Sequence, residues 1–304
     1  MPPWLFRGVT RLIFLIAAST ASTILLLQAA VAQVQPPQLV PAQDVVSLFG
    51  ARQALGAVIW SHGRSSQAEC DRAPTPDYIE AFRSAGWDIF RLNRPRSVDT
   101  MLTSGAALTS AADALKQQGY RRIVLAGQSF GAFLSLIAAG RSEAVDAVIG
   151  TAPAAYGSAY SNPTGYSRNA TELYDLLRSV RHARVALFFF EGDIFDPGGR
   201  GMLADQILSA SGLSHLVIDR PTGLSTHWAS TSSAFAAQYA TCLLAFAGGK
   251  TPDVVDCPYQ SGSALPLANS GSSRPALDLQ RGPGSVVNLQ IGRGVDVDRP
   301  GGRR

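Results

Sequence analysis

Arg122-Ile123-Val124-Leu125-Ala126, then Gly127-Gln128-Ser129-Phe130-Gly131, then an apolar stretch to Ala139: these eighteen residues decide the fold. The β-branched run reads as a buried strand, and Gly131 to Ala139 reads as a helix. Between them the chain must reverse within a few residues. Two glycines permit a turn in which flanking side chains would collide, and the serine between them is held with its hydroxyl above the sheet. That serine also stands at a helix N-terminus, where partial positive charge favours an anion and the Phe130 amide can donate to one. A serine cap on a glycine-rich turn is the plain structural alternative; the strand before and the helix after favour a nucleophile.

Outward from this stretch, short β-branched or aromatic runs alternate with amphipathic ones. Strands are expected at residues 57–60, 87–92, 122–126, 147–150, 185–190 and 216–219, and helices at 76–85, 104–118, 131–139, 170–180, 201–210 and 228–246. Several strand candidates are apolar at every position, which suits strands covered on both faces. The alternation predicts an α/β fold with a mostly parallel central sheet and helices on both faces. In such sheets ligands bind beyond the carboxyl ends of the strands, so the loops there carry the chemistry.

The 304 residues are 46% hydrophobic and 16% charged, which excludes a disordered chain and supplies a large core. The formal charge of +4 sits mainly at the ends. Arg7 and Arg11 precede residue 33, and six arginines stand against three aspartates after residue 259, which leaves the middle at −1. No basic patch argues for a nucleic-acid partner. His62, His182, His215 and His227 show no zinc-ligand spacing, so no metal is expected. Gly249-Lys250-Thr251 resembles the end of a phosphate-binding loop but follows a helix, with Leu244 where the first glycine belongs, and it is rejected.

Residues 1–32 read as a signal peptide, with two arginines, an apolar run from Leu12 to Leu27 and Ala30-Val31-Ala32 as a cleavage site before Gln33. The expected location is periplasmic or secreted; an uncleaved membrane anchor is the alternative. Residues 33–259 have the size of one catalytic domain, and residues 260–304, rich in Gly, Ser, Pro and Arg, read as a disordered tail. In an oxidising compartment Cys242 and Cys257 are near enough in sequence to pair, leaving Cys70 over; three free thiols are the alternative.

With the Gly127–Gly131 elbow in place, residues 45–250 resemble the α/β-hydrolase superfamily, most of all its small serine esterases and dienelactone-hydrolase-like proteins. The resemblance implies a triad in the order Ser, acid, His, with the acid after a late strand and the histidine after the last. Glu191-Gly192-Asp193-Ile194-Phe195-Asp196-Pro197 fills the first place, with Asp193 favoured by its distance from Pro197 and Asp196 as its rival. His227-Trp228, expected to open the last helix, fills the second. Ser61-His62-Gly63-Arg64 resembles the segment that supplies the second oxyanion donor, which points to the Arg64 amide, then that of Gly63, with His62 orienting the loop. His182 and His215 read as structural or solvated. The segment 151–171 is too short for a lid domain; Tyr156, Tyr160 and Tyr166 in it line the pocket or lie on a surface loop, and Asn169-Ala170-Thr171 is a formal glycosylation sequon.

These readings lead to a serine hydrolase that cleaves a small carboxylic ester through Ser129, His227 and Asp193, without a cofactor and with no stated oligomeric state. An acyltransferase using the same triad and a non-catalytic binding protein of the cell envelope are the alternatives.

Overall fold

The computed structural model describes residues 35–42, 47–64, 74–250 and 257–258. The expected signal peptide, Cys70 and the tail lie outside the described residues. Seven strands form one sheet in the order β1-β3-β2-β4-β5-β6-β7: β1 (Gln38–Pro41), β2 (Ala57–Ser61), β3 (Asp88–Asn93), β4 (Ile123–Gln128), β5 (Ala147–Thr151), β6 (Arg184–Phe189) and β7 (His215–Asp219). All neighbouring pairs are parallel except β1 with β3. The six expected strands are all present. β1 is additional, a four-residue edge strand in which Leu39 lies opposite Leu92 and Pro41 opposite Phe90. An edge tolerates a proline because one side of the strand needs no partner.

Among the described residues seven α-helices follow in chain order: α1 (Asp77–Ser84), α2 (Met101–Gln117), α3 (Phe130–Ala139), the one-turn α4 (Pro163–Tyr166), α5 (Arg168–Ser179), α6 (Arg200–Ala210) and α7 (Ser233–Ala247). Successive side chains on a strand face opposite sides of the sheet, and both sides are covered here. Ile123 and Leu125 of β4 therefore join Leu108, Phe133, Leu177 and Leu208 under α2, α3, α5 and α6. Val124 and Ala126 join Tyr78, Phe82, Phe235 and Leu243 under α1 and α7. Burial on both faces explains why these strands read as continuous apolar runs. Among the described residues no helix is long and apolar enough to cross a membrane.

Two helix starts differ from expectation by three residues or more. Helix α2 begins at Met101, three residues before Ser104, because Thr100 accepts the Thr103 amide at 3.0 Å and caps it. The last helix does not open at His227: Ala229–Thr231 form a single 3₁₀ turn, and Ser232 caps α7 by accepting from Phe235 N at 3.2 Å. His227 thus sits in a loop, free of the helix ladder.

Cys242 on α7 is bonded to Cys257, and the Tyr239 hydroxyl donates to the Pro258 carbonyl at 3.2 Å beside it. The bridge closes a loop of 15 residues, for which chain entropy gives about 3 kcal/mol. Reduction is expected to lower Tm by roughly 6–12 °C for a domain of this size. Melting of the untreated and reduced protein, with non-reducing peptide mapping, measures it; identical melts with no bridged peptide would contradict the pairing.

Candidate active site

Every loop singled out in the sequence leaves the sheet at the carboxyl end of a strand. Ser129 lies between β4 and α3 with φ 56° and ψ −118°, a backbone conformation that L-residues adopt only under constraint. The constraint comes from its neighbours. A Cβ on Gly127 would collide with the Gly131 backbone, and a Cβ on Gly131 would collide with the Ser61 carbonyl. The first turn of α3 is thus pressed, backbone to backbone, against the end of β2. Ser129 N extends the sheet by donating to Thr151 O at 2.9 Å.

The loop after β6 delivers Asp193, whose carboxylate is wholly buried. Its two oxygens lie 2.9 and 3.0 Å from His227 Nδ1, and Phe195 N donates to the first at 2.9 Å. Asp196 is turned away: its Oδ1 accepts from Arg200 Nε at 2.7 Å and from Gly198 N at 2.8 Å. The imidazole therefore meets Asp193 and not Asp196. The Phe195 ring packs on the imidazole with centroids 4.3 Å apart, and Trp228 meets it edge-on at 5.3 Å. Thr226, with φ 74°, turns the chain into His227 and donates to Glu191 O at 2.7 Å beside a bridge between Glu191 and Ser225. The loops of the acid and the histidine are thereby joined. Gln128 ties them to the elbow, since its Nε2 donates to the His227 carbonyl at 3.1 Å.

Ser129 and His227 face one cavity of about 540 Å³. In this conformation the Ser129 hydroxyl donates to Ala154 O at 3.4 Å, so it must rotate to reach the imidazole. Such hydrogen bonds commonly tighten only around substrate. The segment 151–171 lends the cavity Ala154, Ala155, Gly157, Ser158 and Ser161. None of its three tyrosines lines the space: Tyr156 packs under Arg168, Tyr160 is exposed, and the Tyr166 hydroxyl donates to the Asp196 carbonyl. Asn169 is fully buried. Its side chain accepts from the Ala155 and Tyr156 amides and donates to the Gly157 and Phe195 carbonyls, so in the folded chain the sequon is inaccessible.

After β2, the ideal Cβ of Gly63 would stand 3.2 Å from Ser129 Cβ, and Arg64 lines the cavity. Among the described residues the Gly63 and Arg64 amides have no acceptor. The Phe130 amide, first in α3, has no intrahelical one. Among the described residues, three N–H groups on the two segments beside the serine thus have no protein acceptor. His62 is buried, and burial, then the neighbouring Arg94 charge, lowers its pKa to about 3. It stays neutral and distant from general-base work. His182 is exposed, and His215 lies 3.2 Å from Asp205 near the opposite end of β7. Among the described residues no group of three His, Cys, Asp or Glu could hold a metal ion.

Arg94 and Arg200 were not marked by the sequence, and Asn169 was marked only for its sequon. Arg94 and Arg200 carry guanidinium groups with no side-chain exposure, next to prolines or glycines that read as surface loop.

No protein-family model matches the chain, and no curated protein matches it. Solved structures do. The acetyl ester-xyloside bifunctional hydrolase of Caldicellulosiruptor lactoaceticus superposes with a TM-score of 0.52 at 16% identity over 71% of this chain and 88% of its own. The acylaminoacyl peptidase of Pyrococcus horikoshii superposes with a TM-score of 0.51 at 14% identity over 70% of this chain and 42% of its own. The matched part spans only 37% of a puromycin-hydrolyzing peptidase of Mycobacterium tuberculosis. At such identities the likeness establishes the fold, and the fold is that of the α/β-hydrolases.

Proposed function

We propose that this chain is a serine hydrolase that cleaves a small carboxylic ester. The observation that carries the proposal is the contact of His227 Nδ1 with both oxygens of buried Asp193, in a cavity shared with a serine on a strained elbow. Asp193 keeps the proton on Nδ1 and leaves Nε2 as the base. Nε2 takes the Ser129 proton as Oγ attacks the ester carbonyl. The oxyanion that forms is met by the Phe130 amide with those of Arg64 and Gly63. Collapse breaks the bond to the alcohol oxygen, which takes the proton from Nε2. Water then repeats the sequence on the acyl-enzyme. A panel of short and medium-chain 4-nitrophenyl esters, with and without a competing alcohol, tests it. Hydrolysis lost in Ser129→Ala supports the ester hydrolase, transfer to the alcohol reassigns it as an acyltransferase, and no turnover with no phosphonate labelling of folded protein returns it to a binding protein.

The cavity's lining includes Arg64 and Arg96 and, among the described residues, no carboxylate. Two arginines in the lining favour anionic substrate over neutral. Mono-4-nitrophenyl adipate is expected to exceed 4-nitrophenyl hexanoate in kcat/KM by roughly tenfold at low salt, the advantage shrinking as the Debye length falls below about 8 Å. Equal values at low salt would contradict this.

The Cys242–Cys257 bond supports a place outside the reducing cytoplasm, periplasmic or secreted. A mature chain beginning at Gln33 is the expected result of N-terminal sequencing; residues 1–32 intact in a membrane fraction would make the protein anchored.

A further inference from the structure

We infer that Arg94 is a positioning residue that sets the oxyanion site by holding the carbonyls of the two peptides whose N–H groups face the substrate. The inference rests on the hydrolase reading above and assigns a role to a residue outside the triad. Arg94 follows β3 on a neighbouring loop, and its Nη2 donates to the His62 carbonyl at 2.6 Å and to the Gly63 carbonyl at 3.2 Å. In a trans peptide the C=O and N–H point in opposite directions, and no peptide bond here is cis. With both carbonyls drawn to the guanidinium, the Gly63 and Arg64 N–H groups must point away from it. Among the described residues neither of these amides has a protein acceptor. A loop left to itself would turn one or both toward water or toward a protein carbonyl.

The guanidinium is itself fixed. Its Cζ lies 5.3 Å from the centre of the Phe130 ring, and its Nε stands 3.8 Å from Asp99 Oδ1. Asp99 in turn accepts from Ser104 Oγ at 2.7 Å, at the start of α2. Arg94 therefore touches the loop that bears two of the proposed donors and the residue that bears the third. His62 completes the clamp. Its Nδ1 lies 2.6 Å from the Gly63 carbonyl and 2.8 Å from Arg94 Nη2, a position that tolerates a neutral imidazole and repels a charged one. A single guanidinium nitrogen, Nη2, holds both carbonyls; a lysine ammonium in its place is a point charge on a shorter reach.

The test compares wild type, Arg94→Gln and Arg94→Lys in the full chain. Each is first checked by circular dichroism and melting, and by the downfield NMR proton of the His227–Asp193 hydrogen bond. Removing an oxyanion donor lowers kcat by about 10²–10³. Arg94→Gln is expected to lose about a hundredfold in kcat and in the rate of phosphonate labelling, with KM within threefold of wild type and the downfield proton retained. Arg94→Lys, which keeps the charge and the fold, should lose roughly tenfold. The His62 ring, silent in wild type down to about pH 3, should begin to titrate at higher pH in Arg94→Gln. Unchanged kcat in a folded variant overturns the inference. So does a loss confined to KM, or one accompanied by loss of the downfield proton. A wild type that is never labelled fails the hydrolase reading itself, whereas a labelled wild type with an equally labelled Arg94→Gln fails only the role of Arg94.

Discussion

Ser129→Ala is expected to abolish ester turnover, by a factor on the order of 10⁶ in kcat, while the protein folds and melts nearly as before. The side chain makes one hydrogen bond, a long one of 3.4 Å to Ala154 O, so its loss removes little stability. The elbow's unusual backbone is imposed by Gly127, Gly131 and the end of β2, and alanine inherits it. Nucleophilicity vanishes with the hydroxyl because no other described side chain of the cavity wall stands on such a turn. Turnover of 4-nitrophenyl butyrate, intact-mass detection of a phosphonate adduct and a thermal melt report these outcomes. An adduct of the same mass in the alanine variant would remove Ser129 from its role.

The two aspartates of the β6 loop are expected to fail in different ways. Asp193→Asn should lower kcat by about 10⁴ with little change in KM, since an amide at this position holds the imidazole in the wrong tautomer. Asp196→Asn should leave the chemistry largely intact and lower stability instead. Arg200 has no exposed side-chain surface and would keep its charge in the interior without the carboxylate that pairs with its Nε. Breaking a buried pair on one side costs about 3 kcal/mol or more. Steady-state kinetics and melting of both variants separate the effects, and a larger catalytic loss in Asp196→Asn would move the acid to that residue.

The elbow was legible because steric necessity writes itself into residue type: a strand that must turn into a helix around this serine needs glycine at both 127 and 131. The central strands were legible because both faces of the sheet are covered, which makes them apolar throughout. β1 was hidden for the converse reason. Gln38–Pro41 is half exposed, four residues long and held by backbone pairing to a strand some fifty residues on, which leaves no periodic pattern. Arg94 and Arg200 were hidden because burial of a charge depends on partners distant in sequence, here the carbonyls of His62 and Gly63 for one and those of Pro153 and Asn169 for the other. Asn169 was read for its sequon and acts through its amide, four hydrogen bonds deep in the core. The helix expected at His227 failed because Ser232 and the 3₁₀ turn before it halt the ladder, and an apolar window from Trp228 to Phe246 does not register such a break.

The Glu191–Ser225 bridge bears on how this site moves. It prolongs the β6–β7 pairing past the sheet's edge, and the Thr226 amide adds one more rung. Thermal breathing of those loops then carries Asp193 and His227 as one body, so their separation is the last distance in the site to change. The serine rides on a different body, the β4 turn locked to β2, and the Gln128 amide and the Thr151 hydroxyl, set between Gly127 O and Ser230 Oγ, span the seam. Warming short of unfolding should therefore widen the gap between hydroxyl and imidazole while the imidazole keeps its carboxylate: a protein that loses speed before it loses its acid–base pair.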